Sequence, residues 1–453
     1  MMKHMIGDLE KIMPLEEIIN RQGIIISAPT SGAGKTTVTL GLIKAFSRNR
    51  SVQPFKSGPD YIDSKFQSVA AGRPSYNLDT WAMSSRDILN MITMVDASDI
   101  CIAEGSMGLF DGVISKGASG NGSTADLASI TNWPVILVVD CAKQAQSVAA
   151  LIKGFSSFRN DILIGGVILN NISSNRHETL VVNEVSKLKV PILGVIPRSR
   201  ELTIPERHLG LVQAEDLSDL QQVITKLGIL IEENCDLKAI AGITRNSFLP
   251  NSTLQNITPP AQRIAIARDN AFTFTYSHLI EGWKKQGAEI SFFSPLNDEP
   301  PSKSDDMAWL PGGYPELYLG HLSECKTFKD GLINFCKHKP VHGECGGYMV
   351  LGKKIIGANG QAYDMVGTFN LVTSFEKRKL NLGYRKAKAI ESFFGIKKGS
   401  TVLGHEFHYS TVIEINDAPI VYVKDAYQNE LGQLGSINSN ATGTFFHLIG
   451  REQ

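Results

Sequence analysis

Short apolar runs alternate with amphipathic stretches along the first half of the chain. Strands that are buried on both faces of a parallel sheet have this continuous apolar character, and the stretches between the runs, such as KTTVTLGLIKAFSRN (35–49), have helical periodicity. The runs are rich in Ile and Val and too short for helices: GIIISAP (23–29), DICIAEG (99–105), PVILVVD (134–140), LIGGVIL (163–169) and PILGVIP (191–197). The pattern predicts an α/β domain whose mostly parallel sheet is flanked by helices.

A change in amino-acid composition divides the chain into two parts. Residues 236–262 include ITRNSFLPNSTLQNITPPAQ (243–262), which is rich in Asn, Ser, Thr and Pro and indicates a linker. A second α/β alternation follows in RIAIARD (263–269), AEISFFSPL (288–296), MAWLPGG (307–313) and KPVHGECGG (339–347). We therefore predict an N-terminal extension over 1–21, one α/β domain over 22–235, the linker over 236–262 and a second α/β domain over 263–453.

Composition narrows the class of protein. With 453 residues, 42% of them hydrophobic and 20% charged, the chain is long enough for two or three globular domains. Its 45 basic and 45 acidic residues cancel, so no excess of positive charge indicates a nucleic acid or an anionic membrane as partner. No segment approaches the roughly 20 apolar residues that span a bilayer, and the N-terminal stretch lacks the apolar core of a signal peptide. The six scattered cysteines fit a reducing compartment, so we expect a cytoplasmic protein.

The first chemical motif is APTSGAGKTT (28–37), which follows a predicted strand and opens a predicted helix. A glycine-rich turn at that point directs backbone N–H groups toward a phosphate, and a lysine adds a positive charge for the β- and γ-phosphates. Pro29 stands where the first glycine of a P-loop belongs, so the match is imperfect, and a plain strand-to-helix turn is the alternative. The predicted binding residues are Gly32, Ala33, Gly34, Lys35, Thr36 and Thr37, with the Thr36 hydroxyl as a ligand of Mg²⁺.

Acidic residues follow two later predicted strands, in KSGPDYID (56–63) and AEGSMGLFDG (103–112). Ligands of open parallel sheets bind beyond the carboxyl ends of the strands, so these side chains are expected to converge on the phosphate loop. We predict Mg²⁺ binding by Glu104 and Asp60, since carboxylates complete magnesium shells. Turn formation by Asp and Gly is the alternative for Asp60, Asp63 and Asp111.

The second motif is HGECGGYMVLG (342–352), in which Cys345 stands between a short predicted strand and two glycines. Most cysteines are inert core residues, but a strand, a tight turn and a helix around a cysteine are typical of a nucleophile elbow, where the helix N-terminus favours the thiolate. LPGGYPELY (310–318) puts Gly312 and Gly313 after another strand, where free N–H groups can receive an oxyanion. His447, at the end of the apolar run in ATGTFFHLIG (441–450), is the candidate base for the thiol.

These residues carry a family resemblance. PGGYPE, GECGGYMVLG and the late histidine resemble a class I, triad-type glutamine amidotransferase domain. Together with APTSGAGKTT, KSGPDYID, AEGSMGLFDG and IPERHLGL (204–211), they make almost the whole chain from about residue 22 similar to the cobyrinic acid a,c-diamide synthase family. The resemblance implies a P-loop, dethiobiotin-synthetase-like ATP domain followed by a flavodoxin-like glutaminase domain. Triad enzymes commonly carry an acid two residues after the histidine, where this chain has Ile449, so a Cys–His dyad is expected.

The resemblance also implies a reaction. Cys345 would attack the side-chain amide of glutamine with His447 as base and the N–H groups of Gly313 and Gly346 as oxyanion donors. The ammonia released would meet a tetrapyrrole carboxylate that ATP, with Mg²⁺, has phosphorylated, and the a and c acetates of cobyrinate would be amidated in turn. The residues expected to bind the tetrapyrrole are Asp60, Tyr61, Asp63 and Asp111.

Several alternatives stay open from the sequence. The same reaction on hydrogenobyrinate or nickel sirohydrochlorin fits the motifs equally, and a non-catalytic P-loop switch or binding protein is the competing class. The expected partners are glutamine and a corrin-type tetrapyrrole, without nucleic acid or membrane, and a homodimer is possible. For GHEFHYS (404–410), another segment that matches the family, we expect a structural or inter-domain role rather than a zinc site for His405 and His408.

Overall fold

The computed structural model describes residues 21–199, 206–207, 210–211, 219–247 and 257–452. They form two compact units. The first unit holds the described residues up to Thr80, Ser84–Gly112 and the described residues between Gly122 and Gln255; the second holds Trp81–Met83, Val113–Asn121 and the described residues from 257 onward. In the part of the chain that is described, no helix is both long and apolar enough to cross a membrane.

The first unit is built on an eight-stranded sheet. Seven strands run parallel in the spatial order β3-β2-β4-β1-β5-β6-β7, and a short strand, β10, pairs antiparallel with the start of β1. The strands are β1 (Gln22–Ser27), β2 (Val52–Ser57), β3 (Tyr76–Leu78), β4 (Ile100–Glu104), β5 (Val135–Asp140), β6 (Ile164–Ile172), β7 (Ile192–Pro197) and β10 (Arg245–Asn246). Ile24, Ile25 and Ile26 are fully buried, as strands covered on both faces require. This confirms the parallel sheet that the apolar runs predict.

Helices connect the parallel strands, and polar side chains define where several of them begin. The hydroxyls of Ser84, Ser123 and Ser174 each accept a backbone N–H of the first turn of the helix that follows, which satisfies a donor that has no partner within the helix. The helices of this unit are α1 (Lys35–Phe46), α2 (Tyr61–Ala71), α3 (Ser85–Met94), α4 (Thr124–Thr131), α5 (Val148–Ser157), α6 (Asn175–Val185), α7 (Leu220–Asn234) and α8 (Leu237–Gly242). A short pair of strands, β8 (Glu206–Arg207) and β9 (Gly210–Leu211), lies within IPERHLGL.

The predicted linker over 236–262 begins with folded residues. Asp236 accepts the N–H of Ala239 at 2.8 Å and caps α8, and β10 pairs with Gln22 and Gly23 of β1. The first dozen residues of the predicted linker thus belong to the first unit, because a cap and a strand pairing give them partners that their polar composition does not indicate. Residues 248–256 lie outside the described residues, as do 1–20 of the predicted extension.

The second unit also contains a mostly parallel sheet. Its strands lie in the order β12-β11-β13-β14-β24-β23, and the pair β23–β24 is antiparallel. They are β11 (Arg263–Ala267), β12 (Glu289–Phe293), β13 (Met307–Leu310), β14 (Val341–Glu344), β23 (Ser436–Asn438) and β24 (Ala441–Thr444). The helices are α9 (Ser277–Lys285), α10 (Leu319–Glu324), α11 (Lys326–Cys336) and α12 (Gly346–Leu351), with short 3₁₀ helices at Pro295–Asn297 and Pro315–Leu317. The second α/β domain expected from the sequence is therefore present.

Two antiparallel or mixed sheets in this unit are absent from the prediction. One has the order β16-β15-β17-β20 and the other the order β22-β21-β18-β19-β25. Their strands are β15 (Lys354–Ile356), β16 (Ala362–Asp364), β17 (Leu371–Ser374), β18 (Asn381–Ala389), β19 (Thr401–His408), β20 (Thr411–Ile415), β21 (Val421–Asp425), β22 (Glu430–Leu434) and β25 (Phe446–Arg451). Several of these strands are largely exposed or only partly buried, so they lack the continuous apolar runs that identify the parallel strands.

Two short segments from the first half of the sequence belong to the second unit. Trp81 stacks on Tyr384 with ring centroids 4.5 Å apart, and Ser115 donates a hydrogen bond to the carbonyl of Ala426. The compact units therefore do not follow one cut in the sequence, whereas the predicted boundaries at 235 and 263 assume a single cut.

Candidate functional sites

The phosphate loop of the first unit has the backbone of an anion-binding turn. Gly32 and Gly34 have φ of 78° and 90°, values that side-chain-bearing residues rarely adopt, and Gly34 directly precedes α1. The Asn170 amide, at the carboxyl end of β6, donates to the Ala33 carbonyl at 2.9 Å. A Cβ at Gly34 would overlap this amide. Conformation and space together thus require glycine at 34, and N–H groups at the start of α1 are left to face an anion.

Lys35 and Thr36 lie beside β4. The Lys35 ammonium donates to the Met107 carbonyl at 2.6 Å, and the Thr36 hydroxyl donates to Glu104 Oε1 at 2.6 Å. Glu104 is fully buried and also accepts from the Gln67 amide at 2.8 Å. Burial and the nearby Lys56 lower the pKa of Lys35 to about 8, and they outweigh the carboxylates near it, so a bound phosphate would favour the charged form of Lys35.

Lys56 is the second cation of this site. Its ammonium is buried 2.5 Å from Asp63 Oδ2 and 3.3 Å from Glu104 Oε1. Burial acts to lower the pKa of Lys56, but the carboxylates of Asp63 and Glu104 outweigh it and hold that pKa above its ordinary value. Lys56 therefore stays charged and orients two of the predicted acidic residues.

The other predicted tetrapyrrole ligands hold local structure. Asp60 caps α2 by accepting the N–H groups of Ile62 at 2.8 Å and Asp63 at 3.2 Å. Burial and the neighbouring Asp63 carboxylate raise the pKa of Asp60. Tyr61 is 4% exposed, while Asp111 is exposed and accepts the Gly108 N–H at 2.9 Å. These contacts are the ones that the turn-forming alternative predicts, and they leave Asp111 as the most accessible of the four.

The donor set fits Mg²⁺. Thr36 Oγ1 and Glu104 Oε1 are hard oxygen donors 2.6 Å apart beside the phosphate loop, and magnesium usually takes one or two protein oxygens together with phosphates and water. Asp60, the third predicted ligand, has one oxygen committed to the cap of α2. Across the described ranges, no group of three or more His, Cys, Asp or Glu side chains could hold a metal by itself. A magnesium ion here would depend on phosphate for the rest of its shell.

The second unit builds the predicted elbow around Cys345. The residue has φ of 48° and ψ of −108°, an unusual conformation for a residue with a side chain, at the junction of β14 and α12. The Cys345 N–H donates to the Thr444 carbonyl at 2.8 Å, which fixes the turn against β24. A Cβ at Gly347 would overlap the Leu310 carbonyl. The first helical turn is thus packed directly on β13, and a strained backbone presents the thiol.

The strand register brings His447 to the same place. β24 pairs in parallel with β14, with Thr444 opposite Glu344, and β25 begins only two residues later. A Cβ at Gly312 would overlap His447 Cε1 and would lie 3.2 Å from Cys345 Cβ. The imidazole and the thiol therefore converge on Gly312, although Cys345 and His447 lie far apart in the sequence.

The thiol is protonated at rest. Cys345 is 1% exposed, and burial, with a further contribution from the Glu316 carboxylate, raises the pKa of this thiol far above its ordinary value. The Gly346 N–H beside the sulfur acts in the opposite direction and is outweighed. Burial thus opposes the effect that the sequence led us to expect from the N-terminus of α12, a helix of only six residues. A base has to take the proton during the reaction.

The predicted oxyanion donors are neighbours. A Cβ at Gly346 would lie 3.1 Å from the Gly313 nitrogen, so the two backbone segments approach each other closely. A Cβ at Gly313 would overlap the Ala271 carbonyl, which explains why a glycine is needed there. The structure brings Gly313 and Gly346 together, and the role of their N–H groups as oxyanion donors stays a prediction.

The GHEFHYS segment lies against the thiol. The Cys345 thiol donates to the Phe407 carbonyl at 3.5 Å, and His405 pairs with His447 across β19 and β25. His408 instead hydrogen-bonds Glu406 Oε1 at 2.8 Å on the other face of the strand. The segment therefore lies directly beside Cys345 and His447. The sequence led us to expect only a structural or inter-domain role for it.

We expect Gly312→Ala to reduce glutamine hydrolysis by about 100-fold or more, because the added methyl group displaces His447 from Cys345 and a small misplacement of a catalytic group has an effect of this size. The measurement is ammonia release from glutamine. The control is Gly320→Ala in α10, where a Cβ meets nothing nearer than 3.8 Å. Equal rates in the two variants would contradict the placement of His447.

The sequence patterns do not reveal three residues that the structure places in these sites. Asn170 and Gln67 support the phosphate loop and Glu104, and Glu344 lies beside His447, with 3.6 Å between Glu344 Oε2 and His447 Nδ1. For Asn170 and Glu344 the sequence does contain a feature that could have identified them. Asn170 directly follows the apolar part of β6, near the carboxyl end where ligands bind, and Glu344 is a charged residue in a four-residue buried strand.

Two protein-family models match the chain. A CobQ/CobB/MinD/ParA nucleotide binding domain matches residues 24–212, which include the phosphate loop and Glu104. A CobB/CobQ-like glutamine amidotransferase domain matches residues 263–453, which include Cys345 and His447.

Curated relatives match nearly the whole chain. The hydrogenobyrinate a,c-diamide synthase of Rhodobacter capsulatus is 46% identical over 429 residues, covering 94% of this chain and 98% of the relative. The enzyme of the same name from Brucella anthropi is 44% identical over 435 residues, with 94% and 98% covered. The phosphate loop and the Cys345 site therefore both belong to a chain that is similar to these relatives over nearly its whole length.

Proposed function

The chain belongs to the family of hydrogenobyrinate a,c-diamide synthases, and from this premise we propose that it converts the a and c carboxylates of a corrin-type tetrapyrrole into primary amides. ATP and glutamine are the co-substrates. The observation that carries the proposal is that one chain holds a phosphate loop with Thr36 and Glu104 2.6 Å apart, and a thiol and an imidazole that converge on Gly312. A non-catalytic P-loop switch needs only the first of these sites.

Glutamine hydrolysis uses the residues of the second unit. His447 takes the Cys345 proton, the sulfur attacks the side-chain amide carbon, and the N–H groups of Gly313 and Gly346 stabilise the oxyanion. The C–N bond breaks as the leaving nitrogen receives the proton from His447. Ammonia departs, and water hydrolyses the remaining glutamyl thioester to glutamate.

Carboxylate activation uses the residues of the first unit. The carboxylate takes the γ-phosphoryl group of ATP, which gives an acyl phosphate and ADP, and ammonia then displaces phosphate to form the amide. The loop residues Gly32 to Thr37 hold the phosphates, and the Lys35 ammonium faces the β- and γ-phosphates. Thr36 and Glu104, with Asp60 as a further candidate, would hold Mg²⁺, which neutralises charge on the transferred group when bound.

The tetrapyrrole is proposed to be hydrogenobyrinate, the substrate named for the relatives, with cobyrinate as the alternative. The test incubates the purified chain with ATP, Mg²⁺ and glutamine plus hydrogenobyrinate, cobyrinate or nickel sirohydrochlorin, and identifies products by mass spectrometry. We expect a diamide of hydrogenobyrinate, with ADP and phosphate released in proportion. Preference for cobyrinate would move the assignment to the cobalt-containing substrate, and release of AMP would exclude the acyl phosphate.

We also propose that the protein acts in the cytoplasm. All six cysteines are free, which supports a reducing cytoplasm. We propose no nucleic-acid or membrane partner, and the homodimer stays a prediction that sedimentation equilibrium can measure.

Asp111→Asn is expected to slow the second amidation more than the first, so that a monoamide accumulates. Asp111 is the exposed acid among the predicted tetrapyrrole ligands. We expect its charge to help place the second tetrapyrrole carboxylate in the site after the first has been amidated. Chromatographic separation of mono- and diamide over time is the measurement. Asp99→Asn is a matched control, because Asp99 is also exposed and also accepts one backbone N–H (Ser51, 2.7 Å), but it lies at the opposite end of β4. An unchanged product ratio in Asp111→Asn would remove it from the tetrapyrrole site.

A further inference from the structure

The third member of the glutaminase site is missing at its usual position. Triad enzymes commonly place an acid two residues after the histidine, and here Ile449 is 1% exposed, with its carbonyl hydrogen-bonded to His278 Nε2 at 3.0 Å. Position 449 is therefore part of the core and provides no carboxylate.

Glu344, the residue before Cys345, provides one instead. Its side chain is 3% exposed, and its Oε2 lies 3.6 Å from Nδ1 of His447, whose side chain is 1% exposed. The other oxygen, Oε1, accepts the Leu448 N–H at 3.3 Å. The Glu344 carboxylate thus lies beside Nδ1 of His447, whereas Nε2 is the nitrogen that acts as general base. The N–H of Leu448, the residue after His447, holds the carboxylate in place.

The burial of the Glu344 carboxylate also indicates His447 as its partner. A buried carboxylate is costly unless it is paired. The basic side chains within 4 Å of it in the described part of the chain are His447 and His342, whose Nε2 lies 3.9 Å from Glu344 Oε1. Burial lowers the pKa of His342 to about 3, so His342 stays neutral. The imidazole of His447 is the other basic group beside the carboxylate, and it lies closer.

We propose that Glu344 is the acidic positioning residue of the glutaminase site, and this rests on the glutamine hydrolysis proposed above. Its carboxylate keeps the His447 proton on Nδ1, so that Nε2 is the nitrogen that takes the Cys345 proton. It then stabilises the imidazolium that this transfer creates. No bond to substrate is made by Glu344, so it acts through His447 alone.

The test replaces Glu344 by Gln, which keeps the shape and the acceptor for Leu448 N–H but removes the charge. We expect kcat for glutamine hydrolysis to fall by about 100-fold, the scale of general acid–base catalysis. We also expect KM for glutamine to stay near the wild-type value, because Glu344 acts through His447 and not on the substrate. Synthesis with ammonium salts should be unchanged.

Asp305→Asn is the matched control. Asp305 is a buried carboxylate of the same unit, 6% exposed, that bonds Ser291 and Ser302 rather than the site. Equal losses in the two variants, or a wild-type rate in Glu344→Gln, would overturn the proposal. If the Gln variant does not fold, Glu344→Asp keeps the charge but retracts it; we expect slower hydrolysis than in the wild type, and a wild-type rate would overturn the role.

A third readout separates this proposal from the proposed function. The rate at which iodoacetamide alkylates Cys345, followed by peptide mass spectrometry, depends on thiolate formation and needs neither glutamine nor tetrapyrrole. The Glu344 charge by itself raises the pKa of the Cys345 thiol, so its loss alone would speed alkylation, and a faster rate in Glu344→Gln would overturn the positioning role. Slower alkylation at neutral pH in Glu344→Gln than in the wild type supports that role even if no tetrapyrrole is amidated. An unchanged alkylation rate counts against that role even if the diamide is formed.

Discussion

Cys345→Ala is expected to abolish glutamine-dependent amidation while leaving amidation with ammonium salts near the wild-type rate. The thiol is the nucleophile that releases ammonia, and removal of a catalytic nucleophile costs at least about 1,000-fold in kcat. The phosphate loop and Glu104 lie in a different compact unit, so free ammonia should still react with the activated carboxylate. The comparison is the rate of amide formation at saturating glutamine and at saturating ammonium chloride.

Another buried cysteine of the same unit gives the control. Cys336, at the end of α11, is 6% exposed and packs in the hydrophobic core of that unit. Cys336→Ala is expected to keep both nitrogen sources active, since it leaves only a small cavity. Loss of both activities in Cys345→Ala, with a native melting temperature, would contradict the assignment of separate sites for hydrolysis and synthesis.

Local sequence signals are sufficient for the features that depend on neighbouring residues. The parallel strands show as Ile- and Val-rich runs because both faces are buried, and the phosphate loop shows as glycines ahead of Lys35 because the backbone needs φ above zero at Gly32 and Gly34. Parallel topology then brings the end of β4 to the loop, which is why the sequence alone is enough to pair Glu104 with Thr36.

Features that depend on pairing between distant strands could not be predicted in the same way. The contact of Glu344 with His447 follows from the register of β14 with β24, and no local pattern encodes that register. The resting protonation of Cys345 depends on how completely the site is buried, which the elbow motif does not specify. The same limit applies to β10, whose two residues pair with Gln22 and Gly23 at the start of β1, ahead of the pairing of β1 with β5.

Lys35→Ala is expected to stop amidation with either nitrogen source while glutamine hydrolysis continues. The Lys35 ammonium stands at the start of α1 and donates to the Met107 carbonyl at 2.6 Å in the free protein, and we expect it to turn to the β- and γ-phosphates when ATP binds. Loss of a charge that stabilises the transferred phosphoryl group typically costs about 100-fold or more. The measurement is ADP release and amide formation with ammonium chloride, beside ammonia release from glutamine alone.

Lys153→Ala serves as the control for Lys35→Ala, because Lys153 is an exposed lysine of α5 in the same unit. It should leave all three rates unchanged. Lys35→Arg should recover little synthesis, since a planar guanidinium cannot reproduce the compact charge that the loop encloses. If Lys35→Ala kept near-normal ATP-dependent synthesis, the loop would have to be reassigned as a structural turn and the nucleotide placed elsewhere. If it abolished glutamine hydrolysis as well, nucleotide binding would be a condition for the chemistry at Cys345, and the two activities could no longer be treated as independent.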